Sequence, residues 1–137
     1  MVYDPKARAI VLSGGQNGLV RSDLANPGRA PEPGALNDTW LCDLEAHRWR
    51  QAPRESRPPE QGQPKLVHDE ASGTTLLVTL PGRYAGKGDI AIWSLNTTKG
   101  WSKRHEQAGM PDSREEAIRI LASTGQLSLP LLRKAMY

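Results

Sequence analysis

The chain is 137 residues long, 37% hydrophobic and 5% aromatic without a single Phe, and it carries thirteen glycines and eleven prolines; this describes one turn-rich domain with a modest core. Eighteen Lys and Arg against fifteen Asp and Glu leave a net charge of +3, but the basic residues sit beside acidic ones (Arg54-Glu55, Arg114-Glu115), so no nucleic-acid stripe forms. The lone Cys42 excludes an internal disulfide framework, no apolar run nears the roughly eighteen residues of a membrane span, and Asp4 and Pro5 interrupt any leader-like start.

In chain order, "RAIVLSGG" (8–15) reads as a buried strand. Gly14 and Gly15 can take backbone angles closed to other residues, which predicts that the strand stops there and releases a loop over 16–37. "DTWLCDL" (38–44) predicts a second strand, turned by "EAHR" into a third around Trp49. The proline-rich stretch 53–64, "PRESRPPEQGQP", reads as a linker or exposed crossover. Then the plan repeats. "KLVHDEASGTTLLVTLPG" (65–82) follows "VYDPKARAIVLSGG", with Val67 and Asp69 in the places of Val2 and Asp4. Laying "GDIAIWSL" over "NDTWLCDL" sets Ala91 against Trp40, Trp93 against Cys42 and Leu95 against Leu44, and asks for a one-residue longer turn before Trp101.

The tail changes character. Asp112 or Ser113 can cap a helix with Glu115 or Glu116 three residues on, and Ala117, Ile118, Ile120 and Leu121 form its apolar face. Gly125 is a stop, Ser128 a second cap, and Pro130 is tolerated in a first turn. Leu131, Leu132, Ala135 and Met136 complete the second helix. This helix–Gly–helix unit resembles one HEAT-type repeat. As a DNA-reading pair it fails, because only Arg133 and Lys134 of its second helix could reach a phosphate or base.

Repetition at a period of about fifty marks propeller blades. An apolar strand ending in Gly-Gly, a variable loop, "NDTWLCDL", a tight turn and Trp49 resemble the kelch repeat, closely in the first copy and loosely in the second. The resemblance implies a mainly β fold: two four-stranded antiparallel blades (1–53 and 64–107) of an incomplete propeller spanning 1–107, then a helical hairpin at 111–137. It also implies that Trp40 and Trp49 plug the gaps between blades, with Trp93 and Trp101 packed likewise and Gly14 and Gly15 serving structure. The tyrosine, cysteine and histidine pieces of the copper oxidase site found in some kelch-type proteins are not recognisable.

Chemistry is sparse. His47, His68 and His105 lie in a turn, at a strand end and after the last strand, with no ligand-spaced partner. Cys42 alternates inward with Trp40 as a small hydrophobe. "SGGQNG" lacks the Lys and helix of a phosphate loop, and Asn96-Thr97-Thr98 is a sequon that reads as a polar turn. No catalytic residue, metal or cofactor is expected. The expectation is a protein-interaction scaffold, a fragment of a larger kelch-type protein because Met1 falls inside a strand pattern and two blades leave open edges that invite self-association. The alternative is the non-catalytic part of a propeller enzyme. Its loops 16–37, 53–64 and 80–88 are expected on one face, where Arg21, Arg29, Arg83, Tyr84 and Lys87 would meet an acidic protein partner rather than nucleic acid or membrane. The compartment is not legible.

Overall fold

The computed structural model describes residues 1–16, 35–59, 65–79, 90–107 and 114–137. Eight strands and two helices follow in order: β1 (Val2–Asp4), β2 (Ala9–Gln16), β3 (Ala35–Asp43), β4 (Arg48–Gln51), β5 (Lys65–Asp69), β6 (Thr74–Thr79), β7 (Ile90–Asn96), β8 (Gly100–Gln107), α1 (Arg114–Ser123) and α2 (Leu129–Met136). They make two four-stranded antiparallel sheets, β1-β2-β3-β4 and β5-β6-β7-β8, which do not close into a ring. The fold is therefore mainly β with a C-terminal helical pair, an arrangement consistent with an incomplete propeller.

Alternation along the strands decides what each sheet buries. In the first sheet Ala9, Val11 and Leu41 point one way and join Leu77, Ala91, Trp93, Leu95 and Trp101 of the second sheet in one core. In the second sheet Val67, Leu76, Val78, Ile90 and Ile92 point the opposite way. They form another core with Ala117, Ile118 and Leu121 of α1 and Leu132, Ala135 and Met136 of α2. The order of layers is thus first sheet, second sheet, helices.

The helix signals act as the sequence indicates. Gly125 lies at φ +69° and its N–H bonds the Ala122 carbonyl at 3.2 Å, closing α1. Ser128 Oγ accepts from the Leu131 N–H at 3.4 Å, with Pro130 in the first turn of α2. The cap proposed at Asp112 or Ser113 lies outside the described residues.

Two expectations are corrected. First, β2 does not stop at the glycines. It runs to Gln16 and pairs Gly15 with Leu36 across a register shift after Ser13, with Gly14 at φ +64° and Gly15 at φ +122°. The glycines build a bulge, which bends and twists the strand one residue before its end at Gln16. Second, the repeats match in a different register. Leu12 pairs with Trp40 and Ile10 with Cys42, while Leu77 pairs with Trp93 and Thr75 with Leu95. Trp93 therefore stands in Trp40's place and Leu95 in Cys42's, two residues from the sequence match. The turns confirm it: Asp43 Oδ1 accepts from the Glu45 and Ala46 N–H groups, and Asn96 Oδ1 accepts from those of Thr98 and Lys99. The second turn, 97–99, is one residue shorter than the first, 44–47, not longer.

Candidate interaction surface

The sheets are locked together by polar bonds at both ends of their shared core. At one end the Trp101 indole N–H donates to Thr39 Oγ1 at 2.8 Å, and Thr39 Oγ1 lies 2.8 Å from Ser13 Oγ. At the other, the buried Thr75 hydroxyl donates to Asp4 Oδ2 at 2.8 Å, whose Oδ1 accepts from the Ala7 N–H at 3.0 Å. With its proton given to Asp4, Thr75 Oγ1 is left to accept from His68 Nδ1 at 3.1 Å, which assigns the protonated nitrogen. This Asp–Thr–His chain has the look of a relay, but Thr75 is fully buried between the sheets. It is a clasp between β1 and the second sheet. The link was not visible as chemistry in sequence, since Asp4 and Thr75 are 71 residues apart.

The opposite face of the first sheet is built differently. Across its four strands the register aligns Tyr3, Ile10, Cys42 and Trp49 in one row and sets Leu12 beside Trp40 in the next. Trp49 is 52% exposed, Tyr3 48% and Leu12 40%, while Ile10, Trp40 and Cys42 are half-buried. Charge is tied up at the margins. Arg8 pairs with Glu45, and Asp38 Oδ2 accepts from the Trp40 indole N–H at 2.6 Å.

Trp40 and Trp49 are therefore not plugs between the two sheets, as expected from the sequence; they lie on the outward face because their parity along β3 and β4 points them away from the second sheet. Cys42 shares that face, so its expected inward position is corrected too. Trp93 and Trp101, 8% and 2% exposed, fill the junction instead. Tyr3, Ile10 and Leu12 were missed as surface candidates, although the alternation of residues 10 and 12 with 40 and 42 carried the signal. Arg21, Arg29, Arg83, Tyr84 and Lys87 lie outside the described residues, as do most of loop 16–37 and all of loop 80–88. Of the stretch 53–64, residues 53–59 are described. Of the two readings, linker or exposed crossover, these residues follow the second, carrying the Ser56 carbonyl to the Trp101 N–H of the second sheet at 3.3 Å.

His47 is an exposed turn residue at φ +52°, as read from the sequence. Among the described residues no group of three or more His, Cys, Asp or Glu is placed to hold a metal. No described helix is long and apolar enough to cross a membrane. One cleft of about 290 Å³ lies between the β5–β6 turn and α2, bordered by His68, Glu70, Ser128 and Lys134. Another of about 370 Å³ lies where Asp4 and Lys6 face Asn96 and Thr98. Both are open, and in the first the Ser128 hydroxyl accepts from the Leu131 N–H as the cap of α2.

No protein-family model matches the chain, no curated protein matches it, and no solved structure matches its fold.

Proposed function

We propose that this chain is a protein-interaction scaffold of kelch-type propeller architecture, working through the outer face of its first sheet. The observation that carries this reading is the contiguous row Tyr3, Ile10, Cys42 and Trp49 with Leu12 and Trp40 beside it, an aromatic and aliphatic surface with the Arg8–Glu45 ion pair at its margin and the Asp38 carboxylate bonded to the Trp40 indole. Protein-binding surfaces are enriched in such aromatic residues and depleted of free charge at their centre. Full burial of a large apolar side chain is worth about 1.5–3 kcal/mol, so half-exposed Tyr3, Leu12 and Trp49 each hold back about half of that until a partner covers them.

Cys42, the only cysteine of the chain, sits in the middle of the row and makes the test direct. A benzophenone attached there and irradiated in extract from the source cells should give discrete cross-linked protein adducts. Leu12→Glu with Trp49→Glu should abolish them. A protein that gives the same adducts with and without those substitutions, or none at all, does not use this face.

A further inference from the structure

Strand β4 ends the first sheet, and among the described residues nothing pairs with its far side. The phase of its hydrogen bonds is fixed by the Ala52 N–H, which donates to the Thr39 carbonyl at 2.8 Å just beyond the Trp40–Gln51 pair. Inward-bonded and outward-turned residues alternate along an antiparallel strand. The backbones of Arg48, Arg50 and Ala52 therefore face β3, and Trp49 and Gln51 turn their N–H and C=O groups to the open edge. Side chains alternate across the sheet as well. Trp49 and Gln51 lie on the outer face, while Arg48 and Arg50 lie on the side of Leu41, where Arg50 Nη1 donates to the Thr97 carbonyl at 2.9 Å. Among the described residues neither arginine lies within ion-pair distance of a carboxylate. Glu45 is paired with Arg8, and Asp43 holds the N–H groups of its own turn. No bulge or proline blunts this edge, whereas β8, at the end of the second sheet, carries a register shift beside Trp93 and the Lys103–Glu106 pair.

We infer that the free edge of β4 takes up an extended acidic peptide as a fifth strand, one whose side chains alternate between carboxylates and aliphatic groups. The strand runs antiparallel to β4, as every described strand pair of this fold does. Its aliphatic residues stand opposite Trp49 and Gln51. They exchange backbone N–H and C=O bonds with them and lay their side chains beside the Trp49 ring. The carboxylates between them fall on the other side, next to Arg48 and Arg50. Opposite charges across a strand pair stabilise it and like charges do the reverse, so the arginines that admit an acidic strand also turn away a second β4. Main-chain bonds supply the hold and the alternation supplies the selectivity. The edge is a different surface from the outer face, and its use does not depend on that face binding protein.

The probe is a blocked hexapeptide of alternating Glu and Val, titrated into the full 137-residue chain at pH 7 while backbone amide signals are followed by NMR. The expected result is saturable shifts of the Trp49 and Gln51 N–H signals, with slower hydrogen exchange at both. Methylating the Val nitrogens, which face the edge in this register, should weaken binding about tenfold or more, because each blocked N–H removes a hydrogen bond. Methylating the Glu nitrogens, which face away, should change it by less than about threefold. Arg48→Glu with Arg50→Glu should weaken the Glu–Val peptide about tenfold and admit a Lys–Val peptide in its place. The methylated peptides need only the parent chain, so they decide the matter even if those two substitutions disturb the fold. No shift at Trp49 and Gln51, equal affinity of the two methylated peptides, or the reverse order overturns the inference. Concentration-dependent protection of the same two amides without peptide also overturns it, in favour of β4 pairing with another copy. Absence of cross-linked adducts at Cys42 with the peptide shifts retained removes the outer-face reading and leaves the edge standing.

Discussion

Trp101 donates its indole N–H to the hydroxyl of Thr39 across the junction of the two sheets, at 2.8 Å and 62 residues away in the chain. The bond lets a large aromatic group lie 2% exposed without stranding its only polar atom. Trp93, its neighbour in the same core, has no such partner among the described residues: its Nε1 is buried and unbonded there. The repeat explains the difference. Trp40 satisfies its N–H with Asp38, but in the second copy the place of Asp38 is held by Ala91.

These environments separate Trp49, Trp93 and Trp101 by stability. Trp101→Ala should cost about 3–5 kcal/mol through cavity formation and loss of the Thr39 bond. Trp49→Ala should cost under about 1 kcal/mol, as for an exposed side chain. Trp93→Phe should cost less than Trp101→Phe, because it removes a donor that has no acceptor. Chemical denaturation of the four variants checks the order. Equal losses at Trp49 and Trp101 would contradict the assigned faces.

Strand existence, the repeat and both helices were legible from alternation, glycines and capping residues, because these are local. The register of the second copy was not. Sequence comparison matched Asp89 to Asp38, whereas the physical anchor is the turn, where Asp43 and Asn96 each accept two backbone N–H groups. Matching those two Asx residues places Trp93 over Trp40 at once. Which tryptophans are buried was illegible for a different reason. Both faces of the first sheet are apolar, so burial depends on which face receives the second sheet, and a strand's own pattern does not state that.

Asp4→Ala tests the clasp. It leaves the buried Thr75 hydroxyl and the half-buried Ala7 N–H without their acceptor, and hydrogen bonds to a charged group are each worth about 1.5–3 kcal/mol. A loss of about 2–4 kcal/mol is expected, with faster hydrogen exchange in β1 and β5 ahead of the helices. Exchange that stays even across the two sheets would show that Asp4 does not join them.

Gly100 opens β8 at φ +90°, and a Cβ there would stand 3.1 Å from the Pro53 carbonyl oxygen and 3.4 Å from that of Ser56. Both neighbours are backbone and neither can rotate away. Gly100→Ala should therefore destabilise by about 1–3 kcal/mol and loosen residues 53–56 from the second sheet. Gly125→Ala, also at positive φ but with nothing within 4 Å, should cost less. Thermal unfolding of the pair separates backbone strain alone from strain plus collision.

The two turn anchors differ by one charge, and pH should expose it. The N–H groups of Ala46 and then Glu45 hold the Asp43 carboxyl below the ordinary carboxylate range, with smaller help from Arg8 and Arg50. A carboxyl lowered in the folded state adds stability above its unfolded pKa and loses it as pH falls through the folded one. Asn96 does the same work as a neutral amide, at 3.0 Å to each N–H where Asp43 has 2.8 and 2.9 Å; charge-assisted bonds are the shorter kind. Asp43→Asn should therefore keep the turn, lower the melting temperature slightly at pH 7, and meet the parent curve as acid protonates Asp43. Asn96→Asp should do the reverse, gaining a component of stability that is present at pH 7 and vanishes in acid. Melting curves for the three proteins between neutral pH and pH 2 decide the matter: a gap between Asp43→Asn and the parent that persists unchanged at the acid end would mean that the Asp43 charge is not what its two N–H partners favour.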